Sequence, residues 1–379
     1  MIRTGLIEGV AAVAPAAWDA LVGPEGSPFL EHAFLRAVEA ASATREHGVL
    51  PAHVVALEGD ALIGALPLYV KGDGRGEFAY DWTWEVLAAR AGREWYPKGV
   101  SMAPFSPIEG SRLLVAPGAD RAAVEVALLE RAEAWGREVG LSGLHALFLP
   151  EPEAERLAAR GWLRRLGFQL GWTRRGETRL DDLLARFRSR ERVKIKREMR
   201  RLGEAGLRLE VVEGDAIGEE HRDALWEVWT DTCERHGTGS QYIQRASWDE
   251  LFATWRRRLL LFCARGPRGI EAGSLCVHKG GDVWGRYWGA RRRVSGLYFD
   301  LTMYRPLELL IERGWRRFHL GAGQADYKLA RGFEPVPAHG AHLVFDPAVR
   351  RMVERQLAVE RPAVAAEMAR IANEAELAR

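Results

Sequence analysis

The order of secondary-structure signals repeats once along the 379-residue chain, and this repeat constrains the fold more than any other feature. In the first half an apolar run, SRLLVAP, precedes the helical pattern DRAAVEVALLERAEAWGREVG, the strand LHALFLP and a short helix ending in ARGW. The second half gives the strand VWGRYWGA, the helix YFDLTMYRPLELLIERGW, the strand RRFHLG and a segment ending in ARGF. Ala159 and Ala330, which begin the two ARG motifs, are 171 residues apart. The sequence therefore predicts two related modules.

The composition is typical of a globular protein and argues against several kinds of site. Apolar residues make up 47% and charged residues 28% of the chain, which are ordinary values. Cys233, Cys263 and Cys276 occur without a CxxC pair or a histidine at ligand spacing, so we expect neither a disulfide scaffold nor a metal site. Because no signal-peptide pattern or long apolar run is present, we expect a cytoplasmic protein without a membrane span.

Positive charge is concentrated on a segment between the modules. Residues 1–170 carry 16 basic and 22 acidic side chains, which leaves 38 basic and 30 acidic for residues 171–379. Nine of those bases lie between Arg186 and Arg201. Apolar residues fall on one face of the segment, which predicts a single amphipathic helix over residues 181–202.

Phosphates are the ligands that this helix favours. Like charges three or four residues apart repel, whereas phosphate contacts neutralise them and release counterions. We therefore expect nucleic acid as the ligand of this helix. One alternative is another anion, such as a nucleotide diphosphate. The other is a solvated helix face without a ligand, whose long side chains shield apolar surface. The side chains concerned are Arg188, Arg190, Arg192, Lys194, Lys196, Arg197, Arg200 and Arg201.

Several segments resemble a known family. RLDDLLARFRSRERVKIKREMRRLGEAGLRLEVVEG is similar to the linking helix of the Fem-type transferases. SPFLEHAFLRAVE, EWYPKGVSMAPFSPIEGSRLL and KLARGFEP resemble the FemAB-like branch, often labelled peptidoglycan biosynthesis or recognition. The resemblance runs in order over nearly the whole chain. It implies an α+β fold of two tandem GNAT-type modules, each a mixed sheet with flanking helices, over residues 1–172 and 173–379. The second module would include the basic helix and the C-terminal helices.

The resemblance also implies an activity, which is transfer of an aminoacyl group from aminoacyl-tRNA to an amine with formation of an amide bond. The acceptor would be a peptidoglycan precursor, a peptide or a small metabolite, and no cofactor beyond the tRNA co-substrate is expected. An acyl-CoA-dependent N-acyltransferase and a non-catalytic RNA- or glycan-binding protein stay open as alternatives. RRRVSG and APGADR lack the glycine spacing with which GNAT enzymes bind the CoA pyrophosphate, which counts against the first of these.

Candidate catalytic residues follow from the reaction, since attack by an amine needs a proton acceptor, orientation and stabilisation of an oxyanion. Asp300, near the start of the second module's long helix, is a candidate proton acceptor, with helix capping as the alternative. In the family an acid and a histidine usually precede a lysine, and here Asp326 and Tyr327 precede Lys328. Lys328 is a candidate for polarising the carbonyl and Tyr327 for donating to the oxyanion or the leaving hydroxyl. A surface charge and a packing aromatic are the alternatives.

A nearby strand supplies candidate contacts to the donor. Arg286 and Trp288 alternate with Tyr287, so we expect them to share one face and to stack the terminal adenine, unless they fill the core. His319, in the strand RRFHLG, is expected to be a buried structural residue rather than a base.

The acceptor pocket is predicted in glycine-containing loops of the first module. Loops on a rigid scaffold often bind ligands, and in Fem-type relatives the acceptor lies toward this module. An ordered surface loop anchored by its aromatics is the alternative. The candidates are Lys71, Glu77, Tyr80, Asp81, Trp82, Tyr96 and Lys98.

Overall fold

A computed structural model describes residues 1–40, 48–235, 237, 242–322 and 326–378. The strands are β1 (Ile2–Ile7), β2 (Val49–Pro51), β3 (His53–Glu58), β4 (Ala61–Leu66), β5 (Tyr69–Lys71), β6 (Lys98–Ser101), β7 (Leu114–Val115), β8 (Gly143–Leu149), β9 (Leu163–Thr173), β10 (Arg208–Glu213), β11 (Leu259–Gly266), β12 (Gly269–Lys279), β13 (Asp282–Ala290), β14 (Arg317–His319) and β15 (Glu334–Val344).

The α-helices are α1 (Pro15–Val22), α2 (His32–Ala40), α3 (Trp82–Arg90), α4 (Arg121–Glu138), α5 (Glu151–Ala159), α6 (Leu180–Leu184), α7 (Ser189–Glu204), α8 (Glu219–Arg235), α9 (Arg245–Thr254), α10 (Leu297–Phe299), α11 (Arg305–Glu312), α12 (Asp326–Leu329) and α13 (Pro347–Ala378). A π-helical turn, Asp300–Tyr304, connects α10 to α11. None of the helices in the described part of the chain is both long enough and apolar enough to span a membrane.

The chain divides into two compact units, Met1–Phe168 with Pro337–Glu367, and Gln169–Val336 with Met368–Arg379. The sequence analysis assigned everything after residue 172 to the second module, whereas Pro337–Glu367 packs with the first unit. The reason is strand pairing at long range, because β15 runs antiparallel to β8, with His342 opposite His145. The limits of the two GNAT-type modules stay a prediction.

The first unit contains two sheets. β1-β3-β4-β7 are antiparallel neighbours, and the second sheet runs β15-β8-β6-β5-β2 with β6 parallel to β8. α4 packs on the first sheet. Asp120 caps its start by accepting a hydrogen bond from the amide of Ala123, and Gly140 follows its end with a positive φ. Every residue of β8 is buried, so this strand lies in the core of the unit.

The second unit contains the strand order β10-β11-β12-β13-β14-β9, with β13 parallel to β14 and the other neighbours antiparallel. α6, α7, α10 and α11 contribute to one apolar core that includes Leu184, Ile195, Leu310 and Phe318. α8 packs against β12 and β13. The α+β class predicted from the sequence is confirmed.

The basic segment forms two helices instead of the single helix predicted. α6 ends at Leu184, and the amides of Arg186 and Phe187 then bond to carbonyls three residues back. This tight turn directs the ring of Phe187 into the core, where it meets Gly332. α7 begins only at Ser189, after an extended residue. The break is a tertiary effect, because burial of one aromatic side chain overrides the local helical pattern.

Candidate active site

Arginines cover the outer face of α7. Five of the eight predicted phosphate-binding bases are exposed and three are half-buried. Among the described residues, the side chains of Arg190, Arg197 and Arg200 have neither an ion-pair nor a hydrogen-bond partner. Lys194 and Lys196 pair with carboxylates, at 3.6 Å from Glu191 and 2.8 Å from Asp181. Arg192 donates to the main-chain carbonyl of Phe187, and Arg201 donates to Ser295. The exposed arginines therefore form a cationic surface that two acids neutralise only in part.

Aromatic side chains gather beside α12, close to where α7 crosses the loop before α10. The hydroxyl groups of Tyr298 and Tyr327 lie 3.2 Å apart. The rings of Trp288 and Phe299 both pack edge-on against Tyr298, with centroids 5.5 and 5.3 Å away. Burial, together with the hydrogen bond to Tyr327, raises the pKa of Tyr298. Its hydroxyl therefore stays protonated near neutral pH and can donate a hydrogen bond to an oxyanion.

Asp300 lies in the π-helical turn and has no exposed surface. Nε of Arg305 is 3.0 Å from its Oδ1, without the orientation of a hydrogen bond. Burial outweighs this cation and raises the pKa of Asp300 to about 7. Such π turns often occur at functional sites. The buried position nevertheless favours a structural role over direct contact with an amine.

Lys328 is buried as well, and its ammonium group donates to the carbonyls of Leu320 and Ala322, at 3.1 and 2.9 Å. Burial lowers the pKa of Lys328 to about 8. Asp326 is exposed in the first turn of α12. Lys328 thus supports the chain between β14 and α12, while Tyr327 is the one of these three neighbours that meets the aromatic cluster.

A β-bulge interrupts the alternation assumed for Arg286 and Trp288. Gly285 pairs with Cys276 and Tyr287 pairs with Leu275, which leaves Arg286 as the extra residue. Its guanidinium carbon lies 5.3 Å from the ring of Tyr287, whereas Trp288 contacts Tyr298.

His319 stacks on Trp284, with ring centroids 5.3 Å apart. Burial lowers the pKa of His319 to about 4, so the imidazole is neutral near pH 7. This environment fits the structural role expected from the sequence.

Most of the predicted acceptor residues form a buried charged cluster in the first unit. The ammonium group of Lys98 donates to Glu77 and Asp81 at 2.8 and 2.5 Å, and the indole of Trp95 donates to Asp81 at 2.7 Å. Lys71 donates to the carbonyl of Arg75 at 2.7 Å. Burial raises the pKa of Glu77 to about 7 despite the attraction of Lys98. These buried contacts fix the position of the loop between β5 and α3.

Two aromatics face solvent where this loop meets α3. Tyr80 and Trp82 are 57% and 63% exposed, and their ring centroids are 4.8 Å apart. The loop backbone packs tightly at Gly74, because a Cβ there would lie 2.8 Å from the hydroxyl of Tyr96, too close to be accommodated without a shift, and 3.7 Å from Oδ1 of Asp81. The predicted acceptor residues therefore divide into an exposed aromatic pair, the half-buried Tyr96 and a buried charged support.

The sequence analysis missed Tyr298, Glu198, Tyr304 and Arg331 as site residues. Tyr298 completes the hydroxyl pair, and the other three form a buried polar network next to it. One signal was available, since Glu198 is an acid within a segment of bases and lies three residues from Arg201. Arg331 belongs to the repeated ARG motif, but nothing in the sequence indicates that its side chain is buried.

The sequence model of the FemAB-like family, described as peptidoglycan biosynthesis/recognition, matches residues 9–378. No curated protein matches the sequence. Among solved structures, FemX is 12% identical, with a TM-score of 0.56 over 92% of this chain and 100% of that one. The C-terminal domain (DUF2156) of a putative lysylphosphatidylglycerol synthetase from Agrobacterium fabrum is 11% identical, with a TM-score of 0.56 over 90% and 95%. L-PGS from Bacillus licheniformis is 11% identical, with a TM-score of 0.55 over 93% and 97%. The fold shared with FemX confirms the predicted mixed α+β architecture.

Proposed function

The chain belongs to the FemAB-like family and is an acyltransferase, and we propose that its donor is an aminoacyl-tRNA and its acceptor an amine. In the proposed reaction the amine nitrogen forms a bond to the aminoacyl carbonyl carbon while the ester bond to the tRNA 3′ oxygen breaks. The proton lost by the amine replaces the acyl group on that oxygen. Aminoacyl-tRNA is the co-substrate, and its use would locate the reaction in the cytoplasm.

The observation that carries this proposal is the outer face of α7. Arg190, Arg197 and Arg200 are exposed and, within the described residues, lack a carboxylate partner. Like charges held on one helix face destabilise each other, so a polyanion gains energy there by neutralising them. A helix that merely needed solubility would pair its arginines with acids at three- or four-residue spacing.

The position of α7 supports delivery of the acyl group to the aromatic cluster. A Cβ on Gly296 would lie 3.0 to 3.2 Å from atoms of Glu198, so the helix packs directly on the loop before α10. Arg201 donates to Ser295 in the same loop. Tyr298 follows two residues after Gly296. Phosphates bound on α7 would therefore bring an attached 3′ end close to Trp288 and the tyrosine pair.

The cluster offers the groups that the reaction needs on the donor side. The exposed part of Trp288 is suited to stacking a terminal base, which is worth about 1 to 3 kcal/mol per base. Tyr298 and Tyr327 are suited to donating hydrogen bonds to the oxyanion of the tetrahedral intermediate. Deprotonation of the amine is not assigned to Asp300, because that carboxyl has no exposed surface.

For the acceptor we propose Tyr80 and Trp82 as contact residues, with the half-buried Tyr96 beside them. Exposed aromatic rings on a well-supported loop provide binding area at little entropic cost, because the protein holds them in place already. The family description favours a peptidoglycan precursor as the acceptor. A peptide or a small amine is also compatible with this surface.

The test is binding of aminoacyl-tRNA at several salt concentrations, by fluorescence anisotropy, followed by release of the aminoacyl ester after addition of amines. Replacing Arg190, Arg197 and Arg200 together by glutamine is expected to reduce the slope of log K against log salt by about 2 to 3, since each phosphate contact contributes about 0.7 to 0.9.

The matched control replaces the exposed Arg160, Arg351 and Arg355 of the first unit by glutamine, which removes the same charge and is expected to leave the slope unchanged. Turnover with acetyl-CoA but not with charged tRNA would overturn the proposed donor. Binding of tRNA without turnover on any amine would indicate an RNA-binding protein instead.

A further inference from the structure

The basic helix α7 carries one acid, Glu198, on its inward face. The side chain of Glu198 is 9% exposed, whereas that of Glu191, the other acid of this segment, is 30% exposed. Removing a carboxylate from water is costly unless it is paired. Glu198 therefore does not serve as a surface counter-charge for the arginines of α7.

Arg331 and Tyr304 pair with Glu198 in a closed network. Nη2 of Arg331 lies 3.1 Å from Oε2 of Glu198, and the hydroxyl of Tyr304 donates to the same oxygen. Nε of Arg331 donates to that hydroxyl over 2.6 Å. All three residues are at least nine-tenths buried. Each is thus fixed by the other two, and a displacement of Glu198 displaces the guanidinium of Arg331.

Arg331 in turn contacts both sides of the tyrosine pair. Nη1 donates to the main-chain carbonyl of Tyr327 over 2.9 Å. The guanidinium carbon lies 3.4 Å from the centroid of the Phe299 ring, next to Tyr298 in the chain. The 3.2 Å separation between the hydroxyls of Tyr298 and Tyr327 therefore depends on where Arg331 sits.

We propose that Glu198, Tyr304 and Arg331 are positioning residues that couple the seating of the donor on α7 to the alignment of the Tyr298 and Tyr327 hydroxyls. The inference rests on the proposed function. Arg197 is the neighbour of Glu198 on α7, so a phosphate that pulls on the outer face moves the inner face with it. The coupling determines turnover, whereas the exposed arginines of α7 determine the affinity for the donor.

Stability alone does not account for this network. Apolar side chains of similar volume often replace a buried ion pair without loss of stability. A planar guanidinium with donors in fixed directions instead specifies geometry, and here it fixes the two hydroxyls for which we propose a role at the reacting carbonyl. Misplacement of a catalytic group by about 1 Å can lower a rate by about 100-fold.

The experiment compares Glu198→Gln with Glu191→Gln, which removes the same charge from the same helix. Glu198→Gln is expected to lower kcat by about ten- to a hundredfold, while its Kd for charged tRNA and the salt dependence of that Kd stay as in wild type. Glu191→Gln is expected to keep the wild-type kcat. The readout of coupling is the ¹⁹F resonance of 3-fluorotyrosine incorporated at position 327. It is expected to shift on tRNA binding with Glu198 present and to shift much less in Glu198→Gln.

The outcomes separate this inference from the proposed function. Wild-type protein that binds no charged tRNA would overturn both. Normal binding with unchanged kcat and an unchanged ¹⁹F response in Glu198→Gln would overturn the coupling alone. Should Glu198→Gln fail to fold, as judged by thermal unfolding, Tyr304→Phe decides, because it removes only the hydroxyl between Arg331 and Glu198. Full activity of that variant would also refute the inference.

Discussion

Asp300→Asn is expected to change how the stability of the second unit depends on pH. The Asp300 carboxyl has no exposed surface. Nε of Arg305 lies 3.0 Å away, while Glu308 and Glu198 add negative charge nearby. Burial is the largest effect, and it raises the pKa of Asp300 from its ordinary value of 3.8 to about 7 in the folded protein.

The sign of the effect follows from proton binding. Between pH 4 and pH 7 the folded protein keeps a proton on Asp300 that the unfolded chain has lost, so stability falls as the pH rises through this window. A shift of about 3 pKa units corresponds to about 4 kcal/mol. About 3 kcal/mol of this falls between pH 5 and pH 8. An asparagine amide does not titrate, so the variant does not show this loss of stability. Its free energy of unfolding should rise by about that amount relative to that of wild type between pH 5 and pH 8.

The assay is urea unfolding of both proteins at pH 5 and pH 8, together with hydrogen exchange in peptides from residues 297–312. Glu308→Gln is the matched control, because Glu308 pairs with the same arginine at 2.9 Å but is one-third exposed. This control should reduce the pH dependence only slightly, because burial raises the pKa of Asp300 more than the nearby charge of Glu308 does. If Asp300→Asn and wild type show the same pH dependence, burial does not control this carboxyl and the reasoning is wrong.

The same variant tests the role of proton acceptor that the sequence analysis predicted for Asp300. Loss of a direct proton acceptor lowers turnover by about 100-fold or more. A carboxyl that only supports the π-helical turn would leave most of the activity in place at pH 8. Turnover at saturating donor distinguishes the two roles without reference to stability.

Two further predictions concern packing. Lys98→Met leaves Glu77 and Asp81 buried without their cation, and should lower the free energy of unfolding at pH 8 by about 3 to 5 kcal/mol in urea titrations. A loss below about 1 kcal/mol would contradict the buried pairing. Gly289→Ala places a Cβ 2.0 Å from the Val228 carbonyl oxygen and should cost about 3 kcal/mol or more, whereas Gly203→Ala, with open space in α7, should gain about 0.5 to 1 kcal/mol. Similar melting temperatures for the two glycine variants would refute this assignment.

Elements set by local periodicity were predictable from the sequence. α4, β8 and β13 fall where the apolar pattern indicated. An element that buries one face has apolar residues at a spacing of 3.6 residues in a helix or 2 residues in a strand. Features that depend on distant partners were not predictable. The break before α7 arises from Phe187 packing against Gly332, and the bulge at Arg286 arises in its pairing with β12.

The candidate site shows the same limit for side chains. Composition located the basic helix, and charge in glycine-containing loops located Lys98 with its two carboxylates. Residue type did not reveal exposure, however. Asp300 and Lys328 are chemically suited to catalysis, yet one has no exposed surface and the other is occupied by carbonyls. Tyr298 became a candidate only when the fold placed its hydroxyl next to that of Tyr327.

The two kinds of charge on α7 differ in what they can do physically. Exposed arginines act through water and salt, where pair interactions are weak and screened over about 8 to 10 Å, so they suit the capture of a polyanion by summed contacts. Glu198 and Arg331 interact away from water, where loss of one partner is costly and geometry is tightly fixed. A helix that carries both on opposite faces can combine loose electrostatic binding outside with strict positioning inside. The opposite sign of Glu198 within a basic segment is explained by this division.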